Sequence, residues 1–180
     1  MAAFQFTPQN QSEVKKIIAK YPSGKQKSAV MPLLDLAQRQ NDNFISKDII
    51  EHIAELLELA PIQVYEVASF YSMYNLKPVG KYLIQVCGTT PCMLRGAEDL
   101  IRVCKEQLGI DREETSEDKL FTLKEVECLG ACTNAPMVQI NDDYYEDLSP
   151  AIFTKLLNDL KAGKPVKIGS QTGRISSEPK

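Results

Sequence analysis

Cys87 and Cys92, then Cys128 and Cys132, make two pairs, and each pair directly follows a run of residues that reads as a β-strand. Four thiols placed in this way point to a metal ion or a metal cluster. Disulfides are the weaker reading: the start, Met1-Ala2-Ala3-Phe4-Gln5-Phe6, has neither a secretory apolar run nor an Arg-rich transit segment. A chain kept in a reducing compartment holds its paired thiols open. Thiolates gathered with no cation among them would repel one another.

The spacing narrows the choice of cation. The loops are Cys87-Gly-Thr-Thr-Pro-Cys92 and Cys128-Leu-Gly-Ala-Cys132. Zinc knuckles more often use the tighter Cys-x2-Cys turn. Wider loops suit a larger metal unit, and a [2Fe-2S] rhomb takes two thiolates on each of two irons, so each loop could supply one iron's pair. Sets of four cysteines with similar loops also bind zinc, which leaves structural zinc open at this point. A redox dithiol fits worse, because it needs Cys-x-x-Cys at a helix N-terminus. Gly88 and Gly130 are expected to leave room for backbone amides beside the sulfurs, with Thr89, Thr90 and Thr133 adding hydroxyl donors. The lone histidine, His52, falls inside a helical stretch and is expected to pack or to face solvent rather than bind metal. Cys104 lies on an apolar stripe with Ala97, Leu100, Ile101 and Leu108, which makes it a core residue.

The elements that must position the two loops can be read from periodicity. Residues 1–79 carry helical patterns. Thr7-Pro8 opens a first helix with Val14, Ile17, Ile18 and Tyr21 on one face. A second covers residues 25–39, with Pro32 marking a kink or a late start. Ser46 caps a third, with Ile45 and Ile50 as a hydrophobic staple and a stripe of Ile49, Ile53, Leu56, Leu57 and Ala60, and Pro61 closes it. A fourth spans residues 63–72, with Val64, Val67, Ala68 and Tyr71 on a shared face. Phe70, Tyr71 and Tyr74 are expected mostly in the core.

From residue 80 the pattern alternates. Strands are expected at residues 81–86 and 121–126, a helix at 96–108, a hairpin at 137–146, and a last helix capped by Ser149-Pro150 that carries Phe153, Leu156, Leu157 and Leu160. The order β-α-β-β-α, spanning residues 80–163, is that of an α/β thioredoxin-like layer. If both cysteine loops follow strands of one sheet, they emerge at the same end. Residues 111–118 read as an acidic, solvated loop and residues 164–180 as an extended tail.

Composition excludes several classes of function. At 180 residues with a formal net charge of −3, the chain can bury a sizeable core and has no basic footprint for nucleic acid. No apolar stretch approaches a membrane span, so any membrane link would come through a partner. Neither a hydrolytic triad nor a phosphate-binding loop is present, so no catalytic residue is assigned.

Beyond its cysteine loops, the chain resembles the 24-kilodalton [2Fe-2S] subunit family of respiratory NADH:quinone oxidoreductases. The resemblance covers nearly the whole chain and is carried by residues 21–40, by residues 64–75, and by Val86-Cys-Gly-Thr-Thr-Pro-Cys-Met-Leu-Arg-Gly96 and Glu127-Cys-Leu-Gly-Ala-Cys-Thr-Asn-Ala-Pro-Met137. It implies a thioredoxin-like [2Fe-2S] ferredoxin domain preceded by an N-terminal helical bundle, with the cluster on Cys87, Cys92, Cys128 and Cys132. It also implies an electron-transfer subunit that docks on the flavoprotein subunit carrying NADH and FMN, beside the large iron-sulfur subunit of a peripheral arm. That arm would stand on the cytoplasmic side of a bacterial inner membrane, or on the matrix side in a mitochondrion. Residues 169–174 resemble the family's C-terminal segment, expected against a partner subunit. Ser176 and Ser177 stand where the family often has a cysteine. Two other readings compete: a diaphorase subunit of an NAD-linked hydrogenase or formate dehydrogenase, and a zinc-stabilised assembly module.

Overall fold

The computed structural model describes residues 4–175; Met1, Ala2, Ala3, Ser176 and Ser177 lie outside them. The chain divides into two units, Met1–Val79 and Gly80–Lys180.

In the first unit the Thr7 hydroxyl accepts the Asn10 amide at 3.3 Å and Pro8 opens α1 (Pro8–Ala19), which buries Val14 and Ile17. A 3-10 turn, Gln26–Ala29, leads into α2 (Val30–Gln40). Pro32 falls in the first turn of α2, where amides have no intrahelical acceptor, so it marks a late start and not a kink. Ser46 caps α3 (Lys47–Leu56), and the staple residues Ile45 and Ile50 are both buried.

The buried stripe of α3 runs through Ile49, Ile50, Ile53, Ala54 and Leu57. Leu56 and Ala60, expected on it, are exposed. At about 100° per residue, Leu56 projects roughly 90° from the stripe's centre. Pro61 does not close α3; it is the first residue of α4 (Pro61–Phe70), and the Gln63 side chain accepts the Ala60 amide at 3.2 Å. Proline suits either place, since the amide it lacks would be unpaired at a helix start.

The three aromatic residues at and beyond the end of α4 divide. Tyr74 is buried and donates its hydroxyl to the Met31 carbonyl at 2.9 Å, whereas Phe70 is 80% exposed and Tyr71 is also exposed. A buried polar network fixes this stretch. Gln38 donates to the Met73 carbonyl at 3.1 Å and accepts the Asn75 amide at 2.8 Å, and the Asn75 side chain donates to the Asn43 carbonyl at 2.8 Å.

The second unit is built from β1 (Tyr82–Cys87), the short α5 (Thr90–Leu94), α6 (Ala97–Leu108), β2 (Phe121–Val126), β3 (Val138–Ile140), β4 (Asp143–Glu146), α7 (Pro150–Lys161) and β5 (Gly169–Ser170). The sheet order is β2-β1-β3-β4-β5. β1 and β2 are parallel neighbours with Cys87 opposite Val126, β3 runs antiparallel to both β1 and β4, and β5 is parallel to β4. The apolar stripes of α6 and α7 share one core with the sheet, in which Ile84, Leu100, Cys104, Phe121, Leu123, Phe153 and Leu157 are fully enclosed. Each of the Ile, Leu and Phe side chains among them contributes about 1.5–3 kcal/mol of transfer free energy.

Two segments differ from the sequence-based expectation. Residues 113–116 are largely exposed, as a solvated loop would be, but they are not free: they turn back along the outer edge of β2. Glu113 donates to the Leu123 carbonyl at 2.8 Å, Leu123 to that of Glu114 at 3.0 Å, and Ser116 to that of Phe121 at 2.8 Å. The tail is likewise not merely extended, because Gly169 and Ser170 form β5 on this chain's own sheet.

Candidate metal centre

The two cysteine loops leave the same end of the sheet because their strands are parallel and adjacent. Cys87 is the last residue of β1, and the Gly88 amide prolongs the ladder by donating to the Val126 carbonyl at 3.0 Å. Thr89 then turns the chain into α5, where Cys92 faces inward; Cys87 and Cys92 are both 1% exposed. After β2 the chain reaches Cys128, turns through Gly130 at φ +84°, and enters a 3-10 turn, Cys132–Asn134. That left-handed φ favours glycine. Cys128 and Cys132 are exposed, and their sulfurs stand 3.5 Å apart.

Hydrogen bonds interlock the loops. The Thr89 hydroxyl lies 3.3 Å from Cys87 Sγ and also reaches Cys128 of the other loop. In the opposite direction the Leu129 amide donates to Cys87 Sγ, and the Met137 amide donates to Cys92. The Gly130 amide donates to Cys128 Sγ at 3.4 Å. Among the described residues no group of three or more His, Cys, Asp or Glu side chains closes on a single-ion site. The thiols stand as two pairs, within electrostatic reach of one another.

Within each pair one sulfur is favoured as the thiolate. Burial raises the Cys87 thiol, but donors from the Thr89 hydroxyl and amide, the Leu129 amide and Cys92 outweigh it and bring the pKa below its ordinary value. Burial, with the bond to Cys87 second, pushes Cys92 up to about 12. The Gly130 amide, followed by Cys132 and Thr89, lowers Cys128, while the bond to Cys128 and then desolvation raise Cys132. Each pair thus holds one thiol below and one above its ordinary value, and taking up metal would release the protons the thiols carry.

The other expected donors are placed differently. The Gly88 amide is engaged in the sheet, and a Cβ there would run into the Glu125 side chain, so this glycine makes room for Glu125 and not for a sulfur contact. Thr90 is exposed, and the Thr133 hydroxyl donates to the Asn134 side chain at 3.1 Å. His52, in the first unit, packs its ring on Phe4 and Phe6 with centroids 5.7 and 5.5 Å away. Cys104 is fully enclosed, and burial pushes its thiol up to about 12.

Three residues around the site escaped the sequence reading. The Tyr144 hydroxyl donates to the Leu129 carbonyl at 2.8 Å, fixing the peptide segment whose amide serves Cys87. Asp147 and Arg174 pair at 2.7 Å beside the Cys132 turn. Only the position of Arg174 in the tail segment shared with the family gave a signal, and it pointed to a partner subunit, not to Asp147 or Thr133 of this chain.

Comparisons with known proteins agree with the geometry. The family model "Thioredoxin-like [2Fe-2S] ferredoxin" matches residues 14–161. A Dictyostelium discoideum protein named NADH dehydrogenase [ubiquinone] flavoprotein 2, mitochondrial, is 54% identical over 175 residues, covering 97% of this chain and 71% of its own. An NADH-quinone oxidoreductase subunit from Rickettsia bellii is 57% identical over 160 residues, covering 87% of this chain and 96% of its own. Among solved structures, an NAD+-reducing [NiFe]-hydrogenase in the H2-reduced state has a chain with a TM-score of 0.65 at 21% identity. That likeness covers 74% of this chain and 23% of the hydrogenase chain, and it speaks for the fold alone. The chain belongs to the family of NADH-quinone oxidoreductase subunits built on the thioredoxin-like [2Fe-2S] ferredoxin domain.

Proposed function

We propose that the chain is the one-electron carrier of an NADH-oxidising quinone oxidoreductase and that Cys87, Cys92, Cys128 and Cys132 hold its [2Fe-2S] cluster. The observation that carries this reading is the convergence of two cysteine pairs from adjacent parallel strands, cross-braced by Thr89 and the Leu129 amide. The residues fit the group, since it takes two thiolates on each of two irons and the chain brings up thiols in pairs. When bound, the cluster supplies reversible one-electron transfer at a low, ferredoxin-like potential.

The chain's own residues divide the remaining work. Cys87 and Cys92 anchor the site in the core, and the exposed pair Cys128 and Cys132 brings it to the surface, where a partner can approach. The Thr89 hydroxyl and the amides of Leu129, Gly130 and Met137 place partial positive charge on the sulfurs. The partner is a flavoprotein subunit carrying NADH and FMN, with the large iron-sulfur subunit adjacent. Among the described residues no helix is long and apolar enough to cross a membrane. The proposed place is accordingly a peripheral arm, on the cytoplasmic side of a bacterial inner membrane or the matrix side of a mitochondrial one.

The test is iron and acid-labile sulfide analysis of the anaerobically purified chain, with EPR before and after dithionite. Equal iron and sulfide, with a half-spin signal appearing only on reduction and lost in Cys87→Ala or Cys132→Ala, is the expected result. Zinc in a colourless, EPR-silent chain would overturn it.

A further inference from the structure

The cysteine turn of the second loop is held by the C-terminal tail. Cys132 is exposed and opens a three-residue 3-10 turn outside the sheet, so burial does not set its position as it does for Cys87 and Cys92. The residues that follow it are gripped by one ion pair. Arg174 meets Asp147 Oδ1 through Nη2 at 2.7 Å and Nε at 3.2 Å, and its Nη2 also donates to the Thr133 carbonyl.

The other Asp147 oxygen accepts from the Asn134 side chain at 3.0 Å and from the Ser170 hydroxyl at 2.6 Å. The Asp147 amide donates to the Asn134 carbonyl at 2.8 Å, so the buried Asn134 is held at both ends. Ser170 in turn accepts the Arg174 amide at 3.0 Å. The carboxylate is well shielded, with a side chain 10% exposed against 25% for Arg174, so the pair escapes most of the solvent screening that weakens surface ion pairs.

We propose that Asp147 and Arg174 are positioning residues for the metal centre, forming a latch through which the tail fixes the Thr133–Asn134 backbone and, through it, the geometry of Cys132. Neither is placed among the ligands. The inference rests on the ligand assignment made above, and it adds that the exposed half of the site is completed by residues from the end of the chain. Outer partners that orient metal ligands commonly change metal affinity by about 10–100-fold when removed.

The test uses the full chain carrying iron and sulfide and follows iron transfer to a ferrous chelator under anaerobic conditions. Arg174→Ala and Asp147→Asn are expected to release iron faster than the parent chain, by about 10–100-fold, with Arg174→Lys in between, and to move the reduced-state EPR g-values in the same direction. The two substitutions remove charges of opposite sign. Opposite effects in the two variants would therefore mean that the charges act directly, and this overturns the latch, as does release at the parent rate.

Amide hydrogen exchange in the metal-free chains decides the matter where a variant does not load. Faster exchange at Asn134 and Ala135, with Ile84 and Leu123 unchanged, supports the latch; unchanged exchange at Asn134 and Ala135 overturns it. A parent chain that takes up no iron and sulfide would instead refute the ligand assignment, and the exchange measurement would still judge the latch.

Discussion

Replacing Thr89 with valine removes one hydroxyl from the metal centre while keeping the branched side chain. That hydroxyl lies 3.3 Å from Cys87 Sγ and reaches Cys128 as well, so it bridges the two loops. A donor to sulfur stabilises the more negative, reduced state, so its loss lowers the potential. A net hydrogen bond is worth about 0.5–1.5 kcal/mol. One decade of equilibrium is about 1.36 kcal/mol or, for one electron, 59 mV, so the expected fall is roughly 20–65 mV. The amides of Leu129 and Gly130 continue to donate, which keeps the change within that range. The assay is an EPR-monitored redox titration of Thr89→Val beside Thr89→Ser and Thr90→Val. The serine variant retains the donor and Thr90 is exposed, so both should titrate with the parent chain. A Thr89→Val potential equal to or above the parent value would refute the argument that this hydroxyl serves the sulfurs.

Gly80→Ala should destabilise the chain by about 1–3 kcal/mol, because a Cβ there would sit 2.7 Å from the Phe121 carbonyl carbon and 2.8 Å from its nitrogen; an unchanged urea midpoint would contradict this. Asp147 makes the acid limb of stability testable. Burial raises its pKa, but the bonds from Arg174, Ser170 and Asn134 prevail and hold it below its ordinary value. The unfolded chain therefore binds the proton first, and the stabilisation, about 1.5–3 kcal/mol for hydrogen bonds to a charged group, is full above pH ~5 and lost as pH falls below ~4. The stability gap between the parent chain and Asp147→Asn should shrink over that window, and a gap constant from pH 7 to pH 3 would exclude the assignment. Cys104→Ala should keep the parent content of iron and sulfide while losing about 1–2 kcal/mol of stability through the cavity it leaves; loss of iron at unchanged stability would reverse the core reading.

Features that announce themselves within a few residues were legible in the sequence. Thr7, Ser46 and Ser149 each cap the helix they precede, since a cap is a contact across three residues. β2 occupies residues 121–126 as expected, and both cysteine loops follow their strands. The short α5 was hidden because five residues cannot display a helical period. Pro61 misled because the residue types at a helix end and a helix start overlap. The acidic stretch at 113–116 is exposed as its composition suggested, but its pairing with β2 is made by backbone, which no side-chain pattern records. Tyr144 and Arg174 were invisible for a related reason: their partners, Leu129 and Thr133, lie 15 and 41 residues away. Local pattern therefore located the four paired cysteines, and the contacts that orient them came only with the fold.

The turn of residues 113–116 along β2 has a bearing on how the chain meets other chains. With Phe121–Leu123 of that edge already paired, and with β5 at the far edge only two residues long, the described part of the sheet offers a newcomer only short rows of open amides and carbonyls. A second copy finds little ladder to extend, which disfavours polymerisation of the free chain strand on strand. Entry into a larger complex must then be negotiated by side-chain shape and charge, in which a single substitution can retune partner choice without disturbing the strands that carry the cysteines.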